Sequence, residues 1–400
     1  APAVAPSGAG CSPACAAPAA PASPGAAASP AADAPPASGQ SSAPAVDLPG
    51  EFQAILDFVV ADGYVPGAVM AVRLADGTTW SGAAGVYDWE SAEPMRPDTP
   101  VYIGSVSKLF TAAIVLQLWE EGRLDLDAPV AAWLPDLLPD GESITPRHLL
   151  QHTSGLYDYL EDPGLLGAAY DDPGARWSPA EIVGAAAAEP LAFVPGSAGN
   201  WSYSSTNYVA LGMLVEAVTG RPLAEETHRR ILEPLGLRHT FVAPADDPGE
   251  PLPQGYVNTR LVPQAPASFV FGTAHIISTV ADLQRFGGAL FGGELLGPAA
   301  EAEMRGFVDG HEAFDVPGLA YGLGLMRGRL RVGAAADGAE RDPALRTALG
   351  HMGGFAGFRA AVWYAPESGA LITLGLTQTD IDPNEVAARA LDAVLRAGGR

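Results

Sequence analysis

Residues 104–110 read GSVSKLF, and Lys108 in this stretch is the only lysine among the 400 residues. The other 21 of the 22 Lys and Arg residues are arginine. Arginine keeps its proton at any ordinary pH, whereas lysine can lose one when burial or a neighbouring cation lowers its pKa. Only a lysine can therefore act here as a general base. Most of the flanking residues are apolar, so we expect Lys108 to be shielded from water.

Ser105 stands three residues before Lys108. On a helix, residues at this spacing share a face, so the amine would lie within reach of the serine hydroxyl. An amine that can take the proton of a hydroxyl is what an activated serine nucleophile needs. The alternative is an accidental surface pair, and the apolar surroundings together with two further motifs favour the catalytic interpretation.

The second motif is NWSYSSTNYVALG at residues 200–212, which contains two of the four asparagines of the chain. Tyr203 precedes an apolar segment with helical spacing. Beside a cationic lysine, its phenolate would be favoured, and it could exchange protons with the serine or with a leaving group. The alternative is a tyrosine packed on a loop, with residues 204–207 capping the next helix.

The third motif is LGHMGGFAGFRAAVWY at residues 349–364. Small residues before a strand allow a substrate backbone to lie close to the chain, and we expect His351 to project into the same cleft. Backbone amides there could complete an oxyanion hole with the amide of Ser105. A glycine-rich turn followed by a half-buried histidine is the alternative.

Composition excludes several functions. The net charge of −24 and the pI near 4.5 argue against binding to nucleic acid and to anionic lipid. No apolar run reaches the length of about 18 residues that a membrane span needs. The two cysteines, Cys11 and Cys15, both precede the folded part, which excludes a thiol nucleophile or a cysteine metal site there. The sequence also lacks the G-x-S-x-G motif of α/β-hydrolases, and we predict no metal or cofactor.

The chain divides into a linker and one folded domain. Residues 1–46 are almost wholly Ala, Pro, Ser and Gly, which is typical of a disordered linker. Residues 47–400 form the predicted domain, with an α/β part at 47–130 and 266–400 and a mainly helical part at 131–265. Strands at both ends with helices between them predict an α+β fold, in which one antiparallel sheet is built from both chain ends and flanked by helices.

Two expectations concern the start of the chain. It begins with Ala rather than Met and its folded part lacks cysteine, which favours an exported protein. A disulfide between Cys11 and Cys15, or two free thiols, is favoured over a lipid anchor on Cys11.

Together, the three motifs resemble those of the serine penicillin-binding protein and β-lactamase superfamily. The similarity is greatest to the branch with class C β-lactamases, D-alanyl-D-alanine carboxypeptidases and related esterases. SVSK at residues 105–108 fits the S-x-x-K motif, YSS at 203–205 falls where the family has Y-x-N, and HMG at 351–353 falls where it has K-T-G or H-x-G. The flanking blocks ITPRHLLQHTSGL, EPLGLRHT and HIISTVADLQRFGGALFGGELL are also similar.

This resemblance implies a β-lactamase/transpeptidase-like fold and a role for each motif. Ser105 would be the acylated nucleophile, Lys108 would help to remove its proton, and Tyr203 would be the base and acid partner. His351 would line the cleft in place of the usual lysine. His148 and His152, four residues apart, would belong to a structural turn rather than to a metal site.

The resemblance also implies the binding groups and the substrate. Gly353 and Gly354 would belong to the substrate-binding strand, with the amides of Ser105 and Gly354 holding the oxyanion. The partner would be a small molecule or peptide, best a D-Ala-D-Ala-type peptide or a related amide, with an ester or a β-lactam as alternatives. A non-catalytic penicillin-binding sensor is the alternative from another class. Ser205 replaces the motif asparagine, and its shorter reach favours a simple ester among these alternatives.

Overall fold

The computed structural model describes residues 46–61, 64–335 and 338–398. The predicted linker at residues 1–46, apart from Val46, lies outside these described residues, and so do Cys11 and Cys15. The strands within the described residues are β1 (Gly67–Arg73), β2 (Thr79–Gly85), β3 (Val101–Tyr102), β4 (Thr240–Val242), β5 (Tyr256–Val257), β6 (Arg260–Leu261), β7 (Ile276–Ser278), β8 (Val308–Asp309), β9 (Ala320–Tyr321), β10 (Met326–Arg329), β11 (Thr347–Phe355), β12 (Phe358–Ala365) and β13 (Ala370–Leu376).

Eight of these strands form one antiparallel sheet in the order β2-β1-β13-β12-β11-β10-β9-β8. The first strand of the chain pairs with the last, and Ala68 lies opposite Leu376. Every residue of β13 is buried, as expected for a central strand covered on both faces. The predicted fold class, with one antiparallel sheet built from both chain ends, is confirmed.

The α-helices are α1 (Leu48–Val60), α2 (Ser107–Glu120), α3 (Pro146–Gln151), α4 (Pro163–Asp171), α5 (Pro179–Ala186), α6 (Thr206–Thr219), α7 (Leu223–Thr227), α8 (Glu233–Leu235), α9 (Val280–Phe291), α10 (Pro298–Met304), α11 (Pro343–Arg346) and α12 (Pro383–Ala397). The helices α1 and α12 cover one face of the sheet, where Phe52 and Leu391 join the same apolar cluster. The helices α2 and α9 cover the other face, and the rings of Phe110 and Phe286 stack there at 3.8 Å.

The helix α2 lies at the centre of the molecule. It is buried on nearly all sides, so elements other than the sheet must cover its outer face. The segment at residues 131–265 contributes this cover, because α3 and α6 pack together and α6 packs on α2. The N-terminus of α2 is thereby held between the sheet and this segment, and this is where the candidate site lies.

One predicted strand segment differs from the structure. The sequence YGLGLMRGRLRVG at residues 321–333 predicts an extended segment, yet β9 ends at Tyr321 and β10 starts only at Met326. Gly324 lies between them with a φ of +80°, a conformation that interrupts an extended chain and that glycine adopts without strain.

Candidate active site

Ser105 lies where a sharp turn leads into α2. A 3₁₀ helix at Gly104–Val106 runs directly into the helix, and Gly104 has a φ of +53°. A Cβ atom on Gly104 would come within 2.5 Å of the Gly354 nitrogen. Glycine is therefore required here both by the backbone angle and by the close approach of β11. The turn leaves the Ser105 side chain partly exposed.

Lys108 is fully buried beside Ser105. Its Nζ lies 3.0 Å from Ser105 Oγ and 3.4 Å from Ser205 Oγ, and 4.9 Å from the centroid of the Tyr203 ring. Burial lowers the pKa of Lys108 from 10.5 to about 7, and the negative charge of Asp158 opposes this shift. A substantial fraction of Lys108 is therefore uncharged at neutral pH and able to accept a proton.

Tyr203 completes a triangle with these two residues. Desolvation raises its pKa well above 10, and the weaker interaction of its side chain with Ser105 acts in the opposite direction. Tyr203 is therefore a neutral phenol, and the phenolate expected from the sequence is wrong. The physical reason is that burial disfavours the phenolate and that Lys108, itself close to neutral, lies near the face of the ring.

Asp158 is a site residue that the sequence reasoning missed. It interacts electrostatically with Lys108, and burial raises its pKa, while the nearby backbone of Ser205 acts to lower it. The Asp158 carboxylate accepts the N–H of Leu160 at 3.1 Å and so caps a 3₁₀ helix at Tyr159–Glu161. The only signal in the sequence was an acidic residue two positions after the block ITPRHLLQHTSGL.

His351 does not project into an open cleft as predicted, because it is fully buried. The Tyr321 hydroxyl lies 2.9 Å from its Nε2, and its Nδ1 lies 2.5 Å from the Met352 carbonyl oxygen. A carbonyl only accepts, so Nδ1 carries the proton and Nε2 accepts from Tyr321. Burial and the charge of Lys108 lower the pKa of His351 to about 3. His351 is therefore neutral, and its two ring nitrogens connect the Tyr321 hydroxyl to the Met352 carbonyl of β11.

Gly353 lies directly against the serine turn. A Cβ atom on Gly353 would come within 2.8 Å of the Ser105 nitrogen. The close approach that this glycine permits is thus to the chain's own backbone, rather than to a substrate as expected from the sequence.

The register of β11 orients the amide of Gly354. The strand turns into β12 through Ala356 and Gly357, whose φ values are +46° and +87°, as in a two-residue type I′ hairpin. Phe355 and Phe358 flank this turn as a hydrogen-bonded pair, so the next pair, Gly354 and Arg359, is not hydrogen-bonded. The Gly354 N–H therefore points away from β12, towards the side on which Gly104 approaches. The predicted role of Gly354 as an oxyanion donor beside the Ser105 amide requires such an N–H that is not paired with β12.

The two histidines of α3 and its C-terminus have separate structural partners. His148 Nδ1 accepts the backbone N–H of Thr145 at 3.3 Å, within a capping box. His152 Nδ1 lies 3.1 Å from both the Ser204 nitrogen and Asn207 Nδ2. Within the described residues, no group of three or more His, Cys, Asp or Glu side chains could hold a metal ion.

A family model described as Beta-lactamase matches residues 52–397, which is most of the chain. This chain belongs to the Beta-lactamase family. It is 37% identical over 209 residues to the esterase EstB of Burkholderia gladioli, covering 49% of this chain and 52% of that protein. It is 28% identical to the putative penicillin-binding protein PbpX of Bacillus subtilis, covering 68% of this chain and 64% of that protein. The chain therefore spans less than two thirds of the length of these relatives.

Solved structures of the family resemble the chain over more of its length. A D-stereospecific amidohydrolase from Streptomyces sp. superposes with a TM-score of 0.70 at 34% identity, covering 84% of this chain and 97% of that one. A D-amino acid amidase from Ochrobactrum anthropi SV3, solved with L-phenylalanine amide, gives a TM-score of 0.75 at 27% identity, covering 88% and 98%. The chain thus has the β-lactamase fold. In the part of the chain that the structure describes, no helix is long and apolar enough to span a membrane.

Proposed function

We propose that this protein hydrolyses small amides of D-amino acids, including D-alanyl-D-alanine-type peptides, through an acyl-enzyme on Ser105. The observation that carries the proposal is the 3.0 Å contact between Ser105 Oγ and the buried Nζ of Lys108, whose pKa is lowered to about 7. This contact supplies a base of suitable strength within reach of the nucleophile.

In acylation, Ser105 Oγ attacks the carbonyl carbon of the substrate and its proton passes to Lys108. The carbonyl oxygen becomes an oxyanion, which the amides of Ser105 and Gly354 stabilise. The C–N bond then breaks, which leaves the acyl group on Ser105. As this bond breaks, Tyr203 gives a proton to the departing nitrogen and recovers one from Lys108. Water then attacks the ester carbonyl and gives a proton to Lys108, which passes it to Ser105 Oγ as the acyl group leaves as the acid.

The protonation state of Tyr203 supports amide cleavage. An amine leaves only when its nitrogen receives a proton, and a neutral phenol whose side chain interacts with Ser105 is placed to donate one. Lys108 as base and Tyr203 as acid have pKa values shifted in opposite directions, downward for the lysine and upward for the tyrosine. Such a divergence is the pattern that assigns acid and base roles in an active site.

Asp158 supports a substrate that carries an amine. Its carboxylate lies beside Ser205 and Lys108. When Lys108 is neutral, the Asp158 carboxylate lacks a cationic partner there, and the ammonium group of an amino acid amide would supply one. The solved amidohydrolase and amidase structures are similar over 84% and 88% of this chain, which also supports an amide substrate.

An ester is the second candidate substrate. Ser205 stands where the family motif has an asparagine, so the site lacks the carboxamide that would bind an acyl amide. The 37% identity to an esterase over 209 residues agrees with this alternative. An alkoxide leaves more readily than an amine, so an amidase of this design should also cleave activated esters.

The test compares the parent and Ser105→Ala on a D-alanine amide, a D-alanyl-D-alanine peptide, the N-acetylated forms of both, a nitrophenyl ester and a penicillin. We expect Ser105-dependent release of product from the free-amine D-amides, with the L-enantiomers and N-acetylated forms reacting more slowly. Hydrolysis confined to the ester would support the esterase instead. A stable adduct without product would indicate a penicillin-binding sensor, and an active Ser105→Ala variant would contradict the nucleophile.

A further inference from the structure

His152 contacts three consecutive residues of the segment that carries Tyr203. Its carbonyl oxygen accepts the backbone N–H of Ser202 at 3.1 Å. Its ring lies 4.2 Å from the Tyr203 ring, at an interplanar angle of 32°. Its Nδ1 accepts the backbone N–H of Ser204 at 3.1 Å. One residue therefore holds the backbone on both sides of Tyr203 and the ring between them.

The tautomer of His152 follows from these partners. A backbone N–H can only donate, so Nδ1 is unprotonated and accepts from Ser204. The amide Nδ2 of Asn207 donates to the same atom at 3.1 Å. Nε2 has no hydrogen-bond partner among the described residues. The contribution of His152 is thus one acceptor atom and one ring face.

The backbone at His152 makes these contacts possible. The residue ends α3 in the left-handed region, with a φ of +61°. This conformation is uncommon for residues other than glycine and is best tolerated by Asn, Asp and His. The side chain is fully buried, and the Tyr321 ring lies edge-on at 4.7 Å on another side. The imidazole is therefore clamped between the Tyr203 segment and the sheet.

We infer that His152 is a positioning residue for the hydrolytic reaction, which sets the distance from the Tyr203 hydroxyl to Ser105. It acts through its Nδ1 acceptor and its ring and does not touch the substrate or exchange a proton. This inference rests on the proposed acyl-enzyme function, because it concerns where Tyr203 stands when the leaving group departs.

Two substitutions separate the two contacts. His152→Asn keeps an acceptor oxygen close to the position of Nδ1 and tolerates the left-handed backbone, but it removes the ring. His152→Phe keeps a ring against Tyr203 but leaves the buried Ser204 N–H and the Asn207 amide without an acceptor. His148→Asn is the matched control, because it removes an imidazole from the same helix, and the Nδ1 of that imidazole accepts the backbone N–H of Thr145.

Two measurements are made on each variant: the burst of nitrophenol released from a nitrophenyl ester, and kcat and KM for a D-amide. The melting transition of each variant checks that it is folded. A displacement of about 1 Å in an active site can cost about 100-fold in rate. We expect kcat for the amide to fall about 100-fold in His152→Phe and about tenfold in His152→Asn. KM should stay within about threefold, and His148→Asn should keep the parental kcat.

Either folded His152 variant with a kcat within twofold of the parent would overturn the inference, and so would an equal loss in His148→Asn. If His152→Phe does not fold, His152→Asn decides alone by the same criterion. A parent that shows no Ser105-dependent hydrolysis would instead contradict the proposed function, so the two failures are distinguishable.

Discussion

The chemistry of the site rests on a single lysine. Lys108 is fully buried, its Nζ lies 3.0 Å from Ser105 Oγ, and its role requires a proton that can be lost. Replacement by arginine keeps the charge but not this property, since the guanidinium stays protonated. We expect Lys108→Arg to slow acylation by about 10²- to 10⁴-fold, the usual contribution of general base catalysis. Burst kinetics with a nitrophenyl ester measure this rate, and a variant of near-parental rate would show that Lys108 is not the base.

The pH dependence of acylation should report the same residue. Because Lys108 must be neutral to accept a proton and its pKa is about 7, the acylation rate should fall as the pH drops below 7. On the basic side, Tyr203 keeps its proton because its pKa is raised well above 10, so we expect a plateau up to about pH 9. A pre-steady-state profile from pH 5 to 9 checks this, and a rate that is constant across the range would contradict it.

Lys108 should cost stability at neutral pH. Folding lowers its pKa from 10.5 to about 7, so between these values the unfolded chain binds more protons than the native protein. The stability of the parent therefore rises with pH across this window. A Lys108→Met variant lacks the penalty, and we expect it to be inactive yet more stable at pH 7, by an amount on the order of 3 kcal/mol.

Urea denaturation at pH 7 and at pH 10 measures this difference. The gap between Lys108→Met and the parent should shrink as the pH approaches 10.5, where the unfolded lysine also loses its proton. A variant less stable than the parent at pH 7 would mean that the contacts of Nζ with Ser105 and Ser205 outweigh its desolvation.

The sequence was informative about the identity of site residues but not about their protonation. The single lysine and the serine three residues before it predicted their contact. The phenol form of Tyr203, the burial of His351 and the presence of Asp158 were not predictable in the same way. Each depends on which side chains from distant segments exclude water, and no local spacing contains that information.

At the scale of elements, a buried chain of hydrogen bonds holds β11, the strand that carries the proposed oxyanion donor Gly354. Tyr321 at the end of β9 donates to His351, and His351 donates to the Met352 carbonyl of its own strand. Both side chains are fully buried. These hydrogen bonds thus orient the peptide group of Met352, which precedes Gly353 and Gly354.

Tyr321→Phe breaks this chain and leaves His351 Nε2 without a donor. An unsatisfied buried acceptor costs about 1–3 kcal/mol, and we expect that loss of stability together with a lower kcat and little change in KM. Tyr159→Phe is the control, since it also removes a buried hydroxyl, which donates to the Phe269 carbonyl at 2.7 Å. Thermal unfolding and steady-state kinetics of both variants decide the matter, and equal losses of kcat would contradict a specific role for Tyr321.

The elements themselves were largely predictable. The apolar periodicity of EFQAILDFVVADG and LFTAAIVLQLWEEG and of residues 383–396 predicts helices, which correspond to α1, α2 and α12. The segment FRAAVWYAPESGALITLGLTQ predicts two strands joined by a turn, which correspond to β12 and β13. The interruption between β9 and β10 was not foreseen, because Gly324 adopts a positive φ that the alternation of residues does not specify. It matters for function, since Tyr321 lies immediately before this interruption.

At the scale of the molecule, the site is assembled from three distant parts of the chain. Ser105 and Lys108 lie at the start of α2, Tyr203 before α6, and Gly354 on β11. The pairing of β1 with β13 joins the two chain ends into the sheet on which α2 rests. The strands at both chain ends predicted one antiparallel sheet but not the order of its strands, because that order depends on long-range pairing. The linker at residues 1–46, the division at residue 131 and export remain predictions.

The most direct test of the account is the mass of the protein during turnover. The parent is mixed with a D-alanine nitrophenyl ester, quenched in acid within milliseconds to seconds, and digested for mass spectrometry. We predict a transient gain in mass equal to one D-alanyl group on the peptide that contains Ser105. The added group should be located on Ser105 and not on Ser107, and it should be absent from Ser105→Ala. Product formation without this adduct, or with an adduct on another residue, would contradict the central claim that Ser105 is the acylated nucleophile.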